Sequence, residues 1–131
     1  MSNPGALAKI VATLQRLPNV IGAVVARRDG IVLGHGLPAP IDPRRIASMA
    51  AGIVGTSEIA AEEMGQGRFR QAIVDSLRVR VISLGAGPDA ILVVLVRPEA
   101  NIGLLLMVLD RAAREIAALA AAGKLAVPEA S

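Results

Sequence analysis

Residues 42–65 read DPRRIASMAAGIVGTSEIAAEEMG and predict one long helix. Asp42 can cap its N-terminus, Pro43 suits the first helical position, and Gly65 provides a natural end. At about 100° per residue, apolar residues form a stripe along one side of this helix. The stripe contains Ile46, Met49, Ala50, Ile53, Ala60 and Met64. It predicts that this side packs against a protein core.

The opposite side of the helix carries small residues, with charges at both ends. The small or uncharged residues are Ser48, Ala51, Gly52, Gly55, Thr56 and Ile59. Arg44 and Arg45 precede them, and Glu62 and Glu63 follow them. This order opposes the helix dipole, at a cost of about 0.3–1 kcal/mol per charge. Each interior glycine costs about another 1 kcal/mol relative to alanine.

An antiparallel copy of the same helix removes both defects. The arginines of one copy then meet the glutamates of the other, and the glycines let the two backbones approach closely. The pattern therefore predicts a two-fold homodimer. The alternative is a solvated face, because exposed ion pairs often contribute almost nothing to stability.

Composition predicts a single domain with an aliphatic core. The chain has 131 residues, of which 53% are hydrophobic, and Phe69 is its one aromatic residue. We expect one domain over residues 1–124 and a C-terminal tail over residues 125–131. The lack of cysteine excludes disulfides and fits a reducing cytoplasm. The apolar run Ile102–Leu109 is too short to span a bilayer, so we expect a cytoplasmic protein without membrane insertion.

The net charge of +3 comes mostly from arginine. Clustered arginines are Arg27, Arg28, Arg68, Arg70, Arg78 and Arg80. A basic stripe can bind nucleic acid, but this chain lacks the stacking aromatics of single-strand binders and has no recognition motif. We therefore predict a solvated face or an acidic protein partner, and no nucleic acid.

Periodicity and turn signals predict the element order α-β-β-α-β-β-β-α. A first helix begins at Asn3-Pro4 and ends near Leu17, and the last covers Glu99–Ala122. The predicted strands are Val20–Arg28, Ile31–Gly36, Phe69–Asp75, Leu77–Leu84 and Ala90–Val96. This order predicts an α+β domain, with a five-stranded antiparallel sheet and helices on both faces. Because it is continuously apolar, Ala90–Val96 should be central, together with Val20–Arg28.

The strand Phe69–Asp75 is then an edge, and open edges invite pairing with a second chain. We expect it to pair with its twin beside the paired long helices. The predicted dimer interface consists of Arg44, Arg45, Ser48, Ala51, Gly52, Gly55, Ile59, Glu62, Glu63, Phe69, Gln71 and Ile73.

Groups that carry catalysis are missing from the sequence. His35 is the only histidine, and no nucleophile and acid accompany it as a triad requires. A single histidine also makes a zinc site improbable. Glu62 and Glu63 are adjacent, so on a helix they diverge and cannot act as an acid–base pair. We therefore predict no catalytic residue, no metal and no cofactor.

Three segments resemble the Roadblock family of dynein light chains, above all its stand-alone bacterial and archaeal members. They are GAVVARRDGIVLGHGLP (Gly22–Pro38), DPRRIASMAAGIV at the start of the long helix, and PEANIGLLLMVLDRAAREIAAL (Pro98–Leu119). The resemblance covers residues 5–122, and Asn101–Leu104 is its most specific part. It implies the profilin-like layered fold of that family. It also implies a homodimer in which third strands pair and middle helices lie side by side.

The same resemblance implies a non-catalytic regulator of a small Ras-like GTPase, either as an activator of GTP hydrolysis or as a non-activating adaptor. In the bacterial member that acts on the gliding-motility small GTPase, the dimer binds one GTPase and promotes hydrolysis by repositioning the GTPase's own groups, without inserting an arginine finger. Carried over by position, the docking residues are Arg44, Arg45, Ser48, Gly52 and Glu62.

Two other functions remain open at this point. One is a scaffold or adaptor subunit of a motor or signalling complex, with no effect on a GTPase. The other is binding of a small ligand between sheet and helix, for which the sequence offers no convergent set of polar residues.

Overall fold

The protein is described by a computed structural model over residues 4–125. Within that range three helices and five strands follow one another in the predicted order. They are α1 (Pro4–Gln15), β1 (Val20–Arg27), β2 (Val32–Gly36), α2 (Pro43–Met64), β3 (Ala72–Asp75), β4 (Arg80–Ala86), β5 (Ala90–Val96) and α3 (Ile102–Ala121). The predicted fold class is confirmed. The predicted cap Asn3 and nearly all of the predicted tail lie outside the described residues.

The five strands form one antiparallel sheet in the order β2-β1-β5-β4-β3. As its continuous apolar sequence predicts, β5 is central, and every residue in it is buried. Its neighbour β1 is the other interior strand predicted from the sequence, and β3 lies at an edge. These three placements are confirmed.

Two aliphatic clusters cover the two faces of the sheet. On one face α1 and α3 contribute Leu14, Leu109 and Ile116, all fully buried. On the other face α2 contributes Ala47, Ala50 and Val54. β1 supplies both clusters by alternation, with Val25 on the first face and Val24 on the second. Helices therefore lie on both faces, as predicted.

The hairpin between β3 and β4 turns later than the sequence predicts. The sequence indicates a tight turn at residues 75–76, but the structure turns over residues 76–79. The Ser76 amide donates to the Val79 carbonyl at 3.0 Å, and Asp75 pairs with Arg80 in the register. Leu77 lies at the tip and is 96% exposed. These local hydrogen bonds keep residues 77–79 in the turn, although the alternation of their apolar and polar side chains predicts a strand there.

The turn between β1 and β2 contains the predicted Asp-Gly pair. Gly30 has φ 91°, a conformation that favours glycine. The Asp29 carboxylate accepts from the Ile31 amide at 3.3 Å and pairs with Arg27. Partial desolvation raises the pKa of Asp29, but these hydrogen bonds and the Arg27 charge outweigh it, so the pKa lies below its usual value.

The last helix begins later than predicted, at Ile102 instead of Glu99. Asn101 is the N-cap, and its side chain accepts from the Leu104 amide at 3.2 Å. The residues before it form a turn, in which the Ala100 amide donates to the Arg97 carbonyl at 3.1 Å. Within residues 4–125, none of the helices combines the length and apolar character needed to cross a membrane.

Candidate protein-interaction surface

The helix α2 has defined ends that follow from its sequence. At its N-terminus the Asp42 carboxylate accepts from the Arg44 amide at 2.9 Å, and Pro43 occupies the first turn. At its C-terminus Gly65 adopts a left-handed conformation with φ 63°. Both caps predicted from the sequence are confirmed. They fix which residues lie on the helix and therefore which residues its two faces present.

The buried side of α2 is rotated by roughly a quarter turn from the predicted apolar stripe. Ala47, Ala50 and Val54 are its buried residues. Met49 and Met64, which were predicted to face the core, are 46% and 66% exposed. That part of the prediction is wrong.

Ala60, another member of the predicted stripe, is also exposed. The reason for the rotation lies in residue size. Alanines let the helix lie close to the sheet. The longer methionines of the predicted stripe lie on a side of α2 that the sheet does not cover. A periodic run of small apolar residues was the better indicator of the inner face.

The outward side of α2 carries small residues at its middle and charged residues near both ends. We call it the α2 outer surface, consisting of Arg44, Arg45, Ser48, Met49, Gly52, Gly55, Thr56, Ile59, Glu62, Glu63 and Met64. A Cβ built on Gly52 or Gly55 meets no heavy atom within 4 Å. Ile59 is 62% exposed. The glycines are therefore not required by packing within this chain, and their cost to the helix is uncompensated there.

Charges lie at the two ends of the α2 outer surface, as the sequence predicts. Arg44 and Arg45 are exposed at one end, and Glu62 and Glu63 at the other. At 1.5 Å per residue the two ends are about 27 Å apart, far too distant to neutralise each other. Within residues 4–125, the four side chains make no ion pair.

The edge strand β3 is shorter than predicted and starts at Ala72 instead of Phe69. Phe69 is half-buried and packs on the α2 side of the sheet, while Gln71 is exposed ahead of the strand. Ile73 and Val74 are 42% and 47% exposed on the strand itself. The far side of β3 has no neighbouring strand within the described residues. An open, partly apolar edge therefore lies beside α2.

The predicted interface residues differ in their exposure in the structure. Ala51 and Phe69 are half-buried against the core, so their side chains are committed within the chain. Gly55 is half-buried too, although space remains above it. The remaining predicted residues are exposed on the α2 outer surface or along the β3 edge.

Side chains that could bind a metal ion do not cluster within the described residues. His35 is exposed on β2. Over residues 4–125, the structure contains no group of three histidine, aspartate or glutamate side chains able to hold a metal ion. The ion pairs that it does contain lie away from the α2 outer surface. One of them, Arg28 with Glu58, joins α2 to the residue that follows β1.

Comparison with known proteins identifies the family. The sequence model of the Roadblock/LC7 domain matches residues 7–96. An uncharacterized protein of Methanocaldococcus jannaschii, MJ1340, is 30% identical over 111 residues, covering 85% of this chain and 96% of that protein.

Solved structures agree with that match. The gliding protein MglB from Thermus thermophilus superposes with a TM-score of 0.82 at 23% identity, covering 93% of this chain and 94% of that one. A structure described as MglB with tetrameric arrangement gives the same TM-score and identity, covering 93% of each chain. The fold is therefore shared with MglB, and by the family match this chain belongs to the Roadblock/LC7 domain family.

Proposed function

We propose that this protein is a non-enzymatic regulatory homodimer that binds a small Ras-like GTPase. The observation that carries the proposal is the α2 outer surface. It is exposed, carries small residues at its middle, ends in opposite charges and lies beside the open edge of β3. Membership of the Roadblock/LC7 domain family supports a regulatory role.

Self-association is the first step of the proposal. Two antiparallel α2 helices bring Arg44 and Arg45 opposite Glu62 and Glu63 of the partner subunit, and Gly52 lies near the crossing. Each arginine then lies opposite a glutamate of the other subunit. Because Gly52 has no side chain, the two helix backbones can approach closely. The exposed side chains of Met49, Ile59 and Met64 supply apolar area that the dimer removes from water. A tetrameric arrangement of MglB supports self-association in this fold.

GTPase binding is the second step, and it rests on the family resemblance. The docking residues are those carried over by position: Arg44, Arg45, Ser48, Gly52 and Glu62. As the family resemblance implies, the dimer stimulates hydrolysis in this proposal by repositioning the GTPase's own catalytic groups, without inserting an arginine finger.

The test uses a small Ras-like GTPase from the same organism, loaded with GTP. We expect the wild-type protein to bind it and to raise multiple-turnover phosphate release severalfold. Arg45→Ala should weaken binding, whereas Arg111→Ala, an exposed arginine on α3, should not. Light scattering on each variant separates loss of docking from loss of the dimer. If no GTPase binds at any concentration, the proposal fails.

A scaffold or adaptor role is the second candidate function. Leu104 and Met107 are 62% and 71% exposed on α3, on the face of the sheet opposite α2. A dimer built through α2 leaves both copies of this apolar pair exposed for other proteins. Tight GTPase binding without any change in hydrolysis rate would favour this role.

A further inference from the structure

A cleft of about 650 Å³ opens at the sheet edge, next to the end of β4. It exists because β3 starts at Ala72, opposite Ser83, so that Leu84–Ala86 has no partner strand on that side in the described chain. Residues 68–71 form one wall and the first turns of α3 form the other. Its volume falls within the range of about 300–1,000 Å³ that is typical of ligand sites.

One guanidinium is fixed in this cleft. The Arg28 side chain crosses the end of the sheet, where Nη2 donates to the Gly87 carbonyl at 2.9 Å and Nη1 pairs with Glu58. A Cβ on Gly85 would lie 2.8 Å from Arg28 Nη2, so glycine leaves room for the guanidinium. Arg28 Nε is buried without a hydrogen-bond acceptor. Arg28 is thus held in place with one donor unused.

Two further guanidinium groups in the cleft have no ion-pair partner within the described part of the chain. Arg68 and Arg70 both line it and are exposed, and within residues 4–125 neither makes an ion pair. The carboxylates of the cleft are already engaged, because Glu58 pairs with Arg28 and Asp110 pairs with Arg114. The positive charge of the cleft is therefore uncompensated. We call this site the arginine cleft.

Apolar groups form the rest of the arginine cleft. Leu84 lies on its floor, and Leu106 and Met107 of α3 lie on its wall. Gly103 adds an open stretch of backbone, since a Cβ there would come no closer than 3.7 Å to Asn101 Oδ1. A matching ligand therefore carries anionic groups on an aliphatic body. Nucleic acid fits poorly, because Phe69 is the one aromatic residue of the sequence, whereas single-strand binders stack successive bases on several aromatic side chains.

We propose that the arginine cleft binds an extended acidic peptide segment of a partner protein, with carboxylates on Arg68 and Arg70 and its backbone along the free end of β4. Carboxylates match the fork of donors on arginine, and an unpaired strand end accepts an added strand. The arginine cleft contains none of the five GTPase-docking residues, although its wall shares Phe69 and Gln71 with the predicted dimer interface. The inference does not rest on the proposed function.

The test measures fluorescence anisotropy with a fluorescein-labelled peptide of alternating glutamate and valine, and with a lysine–valine peptide of equal length. We expect the acidic peptide alone to bind the full chain. Arg68→Ala combined with Arg70→Ala should weaken that binding at least tenfold. The control removes two exposed arginines elsewhere, through Arg16→Ala with Arg111→Ala, and should change the affinity less than twofold.

A second variant tests the cleft without removing an arginine. Gly103→Glu places a carboxylate in the first turn of α3, where the helix dipole favours it, so the fold is retained. It should weaken peptide binding at least tenfold.

Three results would overturn the proposal. The first is equal loss in the cleft and control variants, which would indicate charge attraction alone. The second is full affinity in Gly103→Glu. The third is complete displacement of the peptide by inorganic phosphate at matched ionic strength, which would indicate a simple anion site.

Discussion

Replacing Gly52 and Gly55 by alanine has opposite effects on the protomer and on the proposed dimer. In the protomer a Cβ at either position meets no atom within 4 Å. Alanine is more favourable than glycine in a helix interior by about 0.8–1 kcal/mol, so the double variant should raise the free energy of unfolding of the protomer by about 1.6–2 kcal/mol.

In the dimer the same methyl groups lie where the two α2 backbones approach each other. Overfilling a packed contact costs about 1–3 kcal/mol, and the two-fold axis places every substitution at the interface twice. Because about 1.4 kcal/mol corresponds to a factor of ten, the Kd of the dimer should rise at least tenfold.

The assay combines urea unfolding at protein concentrations below the dimer Kd with sedimentation equilibrium. Gly103→Ala is the matched control, because Gly103 is a glycine in the first turn of α3 where an added Cβ would make only an ordinary contact, 3.7 Å from Asn101 Oδ1. It should stabilise the protomer and leave association unchanged. If the Gly52→Ala, Gly55→Ala variant is stabilised and still dimerises like the wild type, the reasoning about the α2 outer surface is refuted.

Two further predictions concern the ends of α2. Arg44→Glu with Arg45→Glu should weaken self-association, because glutamates then face glutamates; adding Glu62→Arg and Glu63→Arg should restore part of it. A four-fold variant that associates no better than the double variant in sedimentation would contradict antiparallel pairing. Asp42→Ala removes the N-cap and should lower the free energy of unfolding by about 0.5–2 kcal/mol, measured by thermal or urea denaturation. An unchanged stability would show that the cap contributes nothing.

The sequence predicts those parts of the fold whose signals are local. The continuous apolar run of Ala90–Val96 marks the central strand, and Asp42 and Gly65 mark the ends of α2. Each signal depends on neighbouring residues only. Element order and sheet placement follow from such signals together with the rules of antiparallel connection.

Other features depend on contacts between distant parts of the chain. The rotation of α2 follows from how closely Ala47 and Ala50 let it approach the sheet, which periodicity does not encode. The arginine cleft depends on the late start of β3 and on Arg28 reaching Gly87, 59 residues away in the sequence. No local pattern indicates that these groups converge.

The central claim is that a second copy of the chain covers the α2 outer surface. Because the sequence contains no cysteine, a single cysteine introduced by Gly52→Cys reports on that surface alone. The cysteine side chain overfills the contact as a methyl group does, so the oxidation is carried out at a protein concentration well above the raised Kd of the dimer. A disulfide needs Cα atoms within about 7 Å, so oxidation should rapidly give a covalent dimer if two α2 helices cross there. Arg111→Cys on α3 is the control for random collision. Cross-linking of Gly52→Cys no faster than that of the control would contradict the claim.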